Sequence, residues 1–178
     1  MYQYHKRDID TGKGLSTAII GIISMRYQET GELHKDFHGA TLMSVNYIVK
    51  NYGVDALREI LFHTGTAVYR EINQRLKAGD TSELIGFKEY FLQREGGKFT
   101  MTKHDNGLFE LVVTECPMEK HLKSLGMAID ENFYLLNKFL NEALCHDTPY
   151  GLSYEQLADG VSRECLAFGN GGSSHATQ

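Results

Sequence analysis

The chain carries three cysteines, Cys116, Cys145 and Cys165. Cys116 stands directly before Pro117. Proline cannot donate to a strand ladder and suits the first turn of a helix, so Cys116 is predicted to sit where a strand ends and a helix begins. A thiol there meets the positive end of the helix dipole, which favours the thiolate and hence a nucleophile. The competing reading is a cysteine that fills a tight junction, and Glu115 and Glu119 would both oppose a thiolate. Cys165 alternates with Arg163 and Ala167 on one strand face, away from Glu164, Leu166 and Phe168, so it either lines a pocket or packs in the core. Cys145 ends a helix beside His146 and Asp147. That run looks like a triad on paper, but neighbouring residues point in different directions and triads are assembled in space. An odd number of cysteines, at spacings that fit no zinc motif, predicts free thiols.

Among the histidines, His63 falls inside a long helical stretch. Its face, shared with Ile60, Ala67 and Arg70, is predicted to point at a sheet, which makes His63 a candidate proton carrier beside the alternative of a satisfied interior histidine. His34 and His38 are four apart, as two metal ligands on one helical face would be, but no Glu lies between them in the zincin position and Gly39 follows at once. The Gly12-Lys13-Gly14 region misses the spacing of a phosphate loop. No metal and no cofactor is expected.

These side chains must be held by a small set of elements. Helical periods run over 40–52, over 54–77 (Leu57, Ile60, Leu61, Ala67, Val68, Ile72, Leu76) and over 82–94 (Leu84, Ile85, Phe87, Phe91, Leu92). The Ile-rich run over 14–27 predicts a further buried helix. The period then changes to two. Phe99 to Lys103, a turn at Asp105-Asn106-Gly107 that suits type I′ geometry, and Phe109 to Val113 predict one hairpin. A helix from Pro117 to Leu125 and another from Asp130 to Leu144 follow. Leu152 to Ala158, a turn at Asp159-Gly160 and Val161 to Phe168 predict a second hairpin. The expected fold is α+β: a helical N-terminal half packed on a four-stranded antiparallel sheet made of two hairpins, in one domain over 1–168 with a flexible Gly/Ser-rich tail over 169–178.

Composition narrows the partners. The chain has 178 residues, 42% of them hydrophobic, and a formal charge of −5, which is ordinary for a globular domain and lacks the basic footprint of a nucleic-acid binder. The longest apolar run, 18–23, falls far short of the ~20 residues that span a bilayer. Asp8 and Asp10 interrupt the basic residues ahead of it and no cleavage site follows it, so a folded, cytoplasmic protein without nucleic-acid or membrane partners is expected.

The segments Thr114-Glu115-Cys116-Pro117, Leu125-Gly126, Leu152-Ser153-Tyr154-Glu155, Leu157-Ala158-Asp159-Gly160 and Cys165-Leu166-Ala167-Phe168, with Tyr69 in the long helix, resemble the L-2-amino-thiazoline-4-carboxylate hydrolase family over roughly residues 40–168. Where members often carry another cysteine between these motifs, this chain has Asp130-Glu131-Asn132-Phe133. The resemblance implies a cysteine-dependent hydrolase that opens a small cyclic amidine-like substrate or another C–N bond. Cys116 would be the nucleophile and Cys165 would line the pocket, with His63 and Glu115 as candidates for proton transfer and orientation. That family is in turn similar to ligand-binding domains of the 4-vinyl-reductase type, which supplies an alternative: a small-molecule binding or sensing domain without catalysis. A homo-oligomeric structural protein is the third reading.

Overall fold

The computed structural model describes residues 36–169. The helix expected over 14–27, His34, and the tail beyond Gly169 lie outside them. Helix α1 (Asp36–Tyr52) ends at Gly53, whose φ of +89° only glycine adopts cheaply. Helix α2 (Val54–His63) follows at once. The expected single helix over 54–77 is interrupted: a π-helical turn, Thr64–Val68, and Tyr69 separate α2 from α3 (Arg70–Lys77). The physical cause lies in Thr64-Gly65-Thr66. The Thr64 and Thr66 hydroxyls donate to the carbonyls of Ile60 (2.9 Å) and Phe62 (2.8 Å), and the Tyr69 N–H reaches back five residues to Thr64 O at 3.1 Å. Such turns inside helices recur at functional sites. Gly65 permits this geometry against the neighbouring helix, because a Cβ there would lie 2.5 Å from that of Ala143.

Helix α4 (Ser82–Arg94) leads into strands β1 (Lys98–Lys103) and β2 (Phe109–Glu115). The turn between them differs from the expected type I′. Gly107 alone takes a positive φ (+78°), Gly107 N–H bonds to His104 O at 3.0 Å, and Asn106 Oδ1 accepts from Leu108 N–H at 3.2 Å. The loop is therefore a longer one built around Asn106 and closed by one left-handed glycine. Helix α5 (Pro117–Ser124) starts with Pro117 in its first turn, and α6 (Glu131–Leu144) is capped by Asp130, which accepts from Asn132 N–H at 3.1 Å. Strands β3 (Tyr150–Ala158) and β4 (Val161–Phe168) are the last elements among the described residues.

The strand order is β1-β2-β4-β3, all antiparallel. The two hairpins thus join through their second strands. Period two places Phe109, Leu111, Val113, Leu152 and Leu166 on the helix-facing side, all buried. Helix α6 is the central helix, packing on α2, on the π-helical turn and on β3, with Phe139, Ala143 and Leu144 buried. The α+β architecture of the sequence analysis is the architecture observed. Among the described residues no helix is long and apolar enough to cross a membrane.

Candidate functional site

Between the helices and the inner face of the sheet lies a cavity of about 300 Å³. Its walls are mostly apolar: Leu61 from α2, Phe87 and Phe91 from α4, and Phe133, Leu136 and Leu140 from α6. The π-helical turn brings Thr64 and the adjoining Tyr69 to the same wall. Strands β2 and β4 close the other side.

Two groups of polar side chains interrupt this lining. In the first, Lys88 Nζ meets Glu164 Oε2 at 2.7 Å, with side chains only 11% and 8% exposed. Asn141, fully buried behind them on α6, accepts from Lys88 Nζ at 3.0 Å and donates to Glu164 Oε2 at 3.1 Å. Three elements thus contribute one ion pair and the amide that bonds both of its members. In the second group, Tyr154 from β3, Ser162 from β4, Asn137 from α6 and Cys116 face the cavity together with Glu119. Burial pushes the Tyr154 phenol well above its usual range, against the opposing pull of Asn137 and Ser162. Glu119 is buried and accepts from Gly160 N–H at 2.9 Å, while Cys116 N–H donates to Gly160 O at 3.0 Å. The β3–β4 turn is thereby clasped to the start of α5.

Cys116 is the N-cap residue of α5, as the Cys-Pro pair predicts, and it lines the cavity. The expected lowering of its thiol pKa is not what the structure produces. Burial raises it first and the Glu119 charge adds to that, outweighing the Met118 and Glu119 backbone N–H groups that favour the thiolate. At neutral pH the group is a thiol. The helix start supplies partial charges, but removal from water costs the anion more than they return.

The other predicted site residues do not gather around it. Cys165 lies opposite Glu110 and Ser153 on the outer sheet face, with its Sγ 4.0 Å from Glu110 Oε1, on the far side of the sheet from the cavity. His63 is exposed at the end of α2, against the Phe62 ring, and its face with Ile60, Ala67 and Arg70 looks outward rather than at the sheet. Glu115 does not line the cavity. It pairs with Lys120 (2.6 Å) and Lys98 (3.1 Å), which hold its carboxyl below the usual range. Cys145 is buried at the end of α6 and its thiol is pushed up to about 11 by burial. His38 is buried against Glu95 at 3.2 Å, and among the described residues no group of three His, Cys, Asp or Glu side chains could hold a metal. The residues that sequence reasoning passed over are Lys88, Asn141, Glu164, Asn137 and Tyr154. Two signals pointed to them: Glu164 occupies an inward position of β4 where the alternation calls for an apolar residue, and Lys88 adjoins Phe87 on an inward face of α4.

These environments predict an order of alkylation in the native protein. With iodoacetamide at pH 7.5, half-buried Cys165 is expected to react first, Cys116 more slowly and Cys145 only on unfolding, as read by peptide mass spectrometry. Because its pKa is raised, the Cys116 rate should still be climbing above the ~8.5 of a free thiol. A rate that levels off below that pH would show that the helix dipole prevails over burial.

Comparison with protein-family models, with curated proteins and with solved structures finds no match to the chain.

Proposed function

We propose that this chain is a small-molecule-binding domain whose ligand occupies the cavity between the helices and the sheet. One observation carries the reading: the ~300 Å³ apolar chamber in the middle of the fold, edged by buried polar groups. A concave, mostly apolar chamber with a few convergent polar groups is the usual form of a ligand site. A fragment library screened by thermal shift on the full chain tests it. Ligands that fill the cavity at about 100 times their Kd should add about 2.7 kcal/mol of stability. Leu140→Phe, which extends into the chamber, should keep the fold and lose that response. A library without stabilising members, or equal stabilisation of the Leu140→Phe variant, would overturn the proposal.

A second reading, the cysteine-dependent hydrolase of the family resemblance, is favoured by one specific observation: of the three cysteines, Cys116 is the one in the cavity wall. The thiol would transfer its proton to a base, with Glu119 the nearby carboxylate, as sulfur adds to the C=N carbon. The base would pass that proton to the ring atom that leaves as the ring bond at this carbon breaks. Water would then add to the thio-linked carbon and expel the cysteine sulfur, which takes up a proton from that water. Cys116→Ser separates the readings. A hydrolase loses turnover and keeps ligand binding, whereas a binding domain never forms product.

A further inference from the structure

The polar groups at the Lys88 end of the cavity define what a ligand must present. Resting on the binding reading above, we propose that the ligand is a neutral molecule with an amide-type edge, one N–H beside one C=O, docked on Lys88 and Glu164 with its apolar body in the chamber. An ammonium has three N–H donors. Lys88 donates one to Asn141 Oδ1 and holds Glu164 Oε2 in an ion pair at 2.7 Å, which leaves a further N–H unspent. The one hydrogen bond that Glu164 accepts, from Asn141, ends on Oε2, where the Lys88 ammonium also lies at 2.7 Å, and Oε1 accepts none among the described residues. One donor and one acceptor therefore remain on neighbouring side chains of the cavity lining.

Charge then selects the ligand. Lys88 and Glu164 already neutralise each other, so a ligand ion would bring an unbalanced charge into a largely apolar chamber. A carboxylate would set two anions around one ammonium, and an ammonium would set two cations around one carboxylate. A carboxamide, lactam or urea edge satisfies both free valences and adds no charge. The aromatic and aliphatic side chains around it, Phe87, Phe91, Leu136 and Leu140, accept the rest of the molecule.

Four probes sharing one ring test this on the full chain: benzamide, benzoate, benzylamine and toluene, titrated by ¹H–¹⁵N NMR. Benzamide is expected to bind about tenfold more tightly than each of the others, as hydrogen bonds to charged partners allow, and to shift the Asn141 side-chain amide. The triple variant Lys88→Met/Asn141→Leu/Glu164→Leu removes the whole polar group without stranding a charge. It should bind toluene as the parent does and lose the benzamide preference. Tightest binding of benzoate or benzylamine, or a benzamide preference that survives in the triple variant, overturns the proposal. Equal binding of toluene and benzamide to the parent protein overturns it while leaving the cavity reading intact. Binding of none of the four overturns both.

Discussion

Lys88→Met is expected to destabilise the protein by about 3 kcal/mol, seen as a fall in Tm of roughly 6–12 °C. The substitution nearly conserves length and leaves the methylene stem in place. It removes the ammonium that lies 2.7 Å from Glu164, whose side chain is 8% exposed. Glu164 then keeps one hydrogen bond, from Asn141, and has no cation to balance it in an apolar surround. The Asn141 carbonyl, at a fully buried residue, loses its donor in the same step. The triple variant Lys88→Met/Asn141→Leu/Glu164→Leu should be more stable than Lys88→Met alone, because apolar residues of similar size need no partners. Chemical denaturation of the single and triple variants checks the order. A triple variant less stable than the single would mean that the three polar residues contribute more by their bonds than they cost in desolvation.

The second large effect concerns Gly65. In the π-helical turn its Cα faces α6 so closely that an added Cβ would sit 2.5 Å from Ala143 Cβ, 3.2 Å from Ala143 C and 3.3 Å from Leu144 N. No flexible side-chain end is available to yield, since the contacts are a Cβ and helical backbone. Gly65→Ala should therefore cost about 1–3 kcal/mol, the range for overpacking a filled interior, although alanine favours ordinary helix over glycine. Ala143→Gly removes the nearest atom, so the double variant Gly65→Ala/Ala143→Gly should recover part of the loss. Urea unfolding of all four members of this cycle measures the coupling. Gly65→Ala as stable as the parent would mean that the π-helical turn can move away from α6. Displacement of that turn should also weaken any cavity ligand, because Thr64 and Tyr69 stand in the same wall.

Much of the architecture is legible in the chain because it is local. Apolar residues repeating near 3.6 mark α1, α4 and α6, while alternation from Phe109 to Val113 and from Val161 to Phe168 marks the joined strands. Glycines at the ends of α1 and α5 and proline after Cys116 mark where elements stop and start. The placement of Cys116 follows from its neighbour in the chain alone. The stretch over 54–77 reads as one helix because apolar residues recur along it, yet the stripe does not hold through the π-helical turn: Leu57, Leu61, Ile72 and Leu76 are buried, whereas Ile60, Ala67 and Val68 are exposed. What breaks it is the Thr64 and Thr66 hydroxyls together with the approach of Ala143, and that approach exists only after folding.

The candidate site is the least local part of the protein. Lys88, Asn141 and Glu164 come from a helix, another helix and a strand, and although the periods of α4 and β4 turn Lys88 and Glu164 inward, nothing in the order of the chain joins the three. Only the packing of α4 and α6 against β4 removes them from water together, and it is that shared burial that turns them into one bonded group. The same burial decides the character of Cys116. The chain predicts a thiol at a helix start, where local dipoles favour the anion, whereas the folded protein surrounds it with apolar walls and the Glu119 charge and so holds it protonated. Periodicity and capping act between neighbours and can be read from order alone. Desolvation depends on everything that comes to lie nearby, so the tertiary structure decides which polar residues face the cavity and in what state of charge.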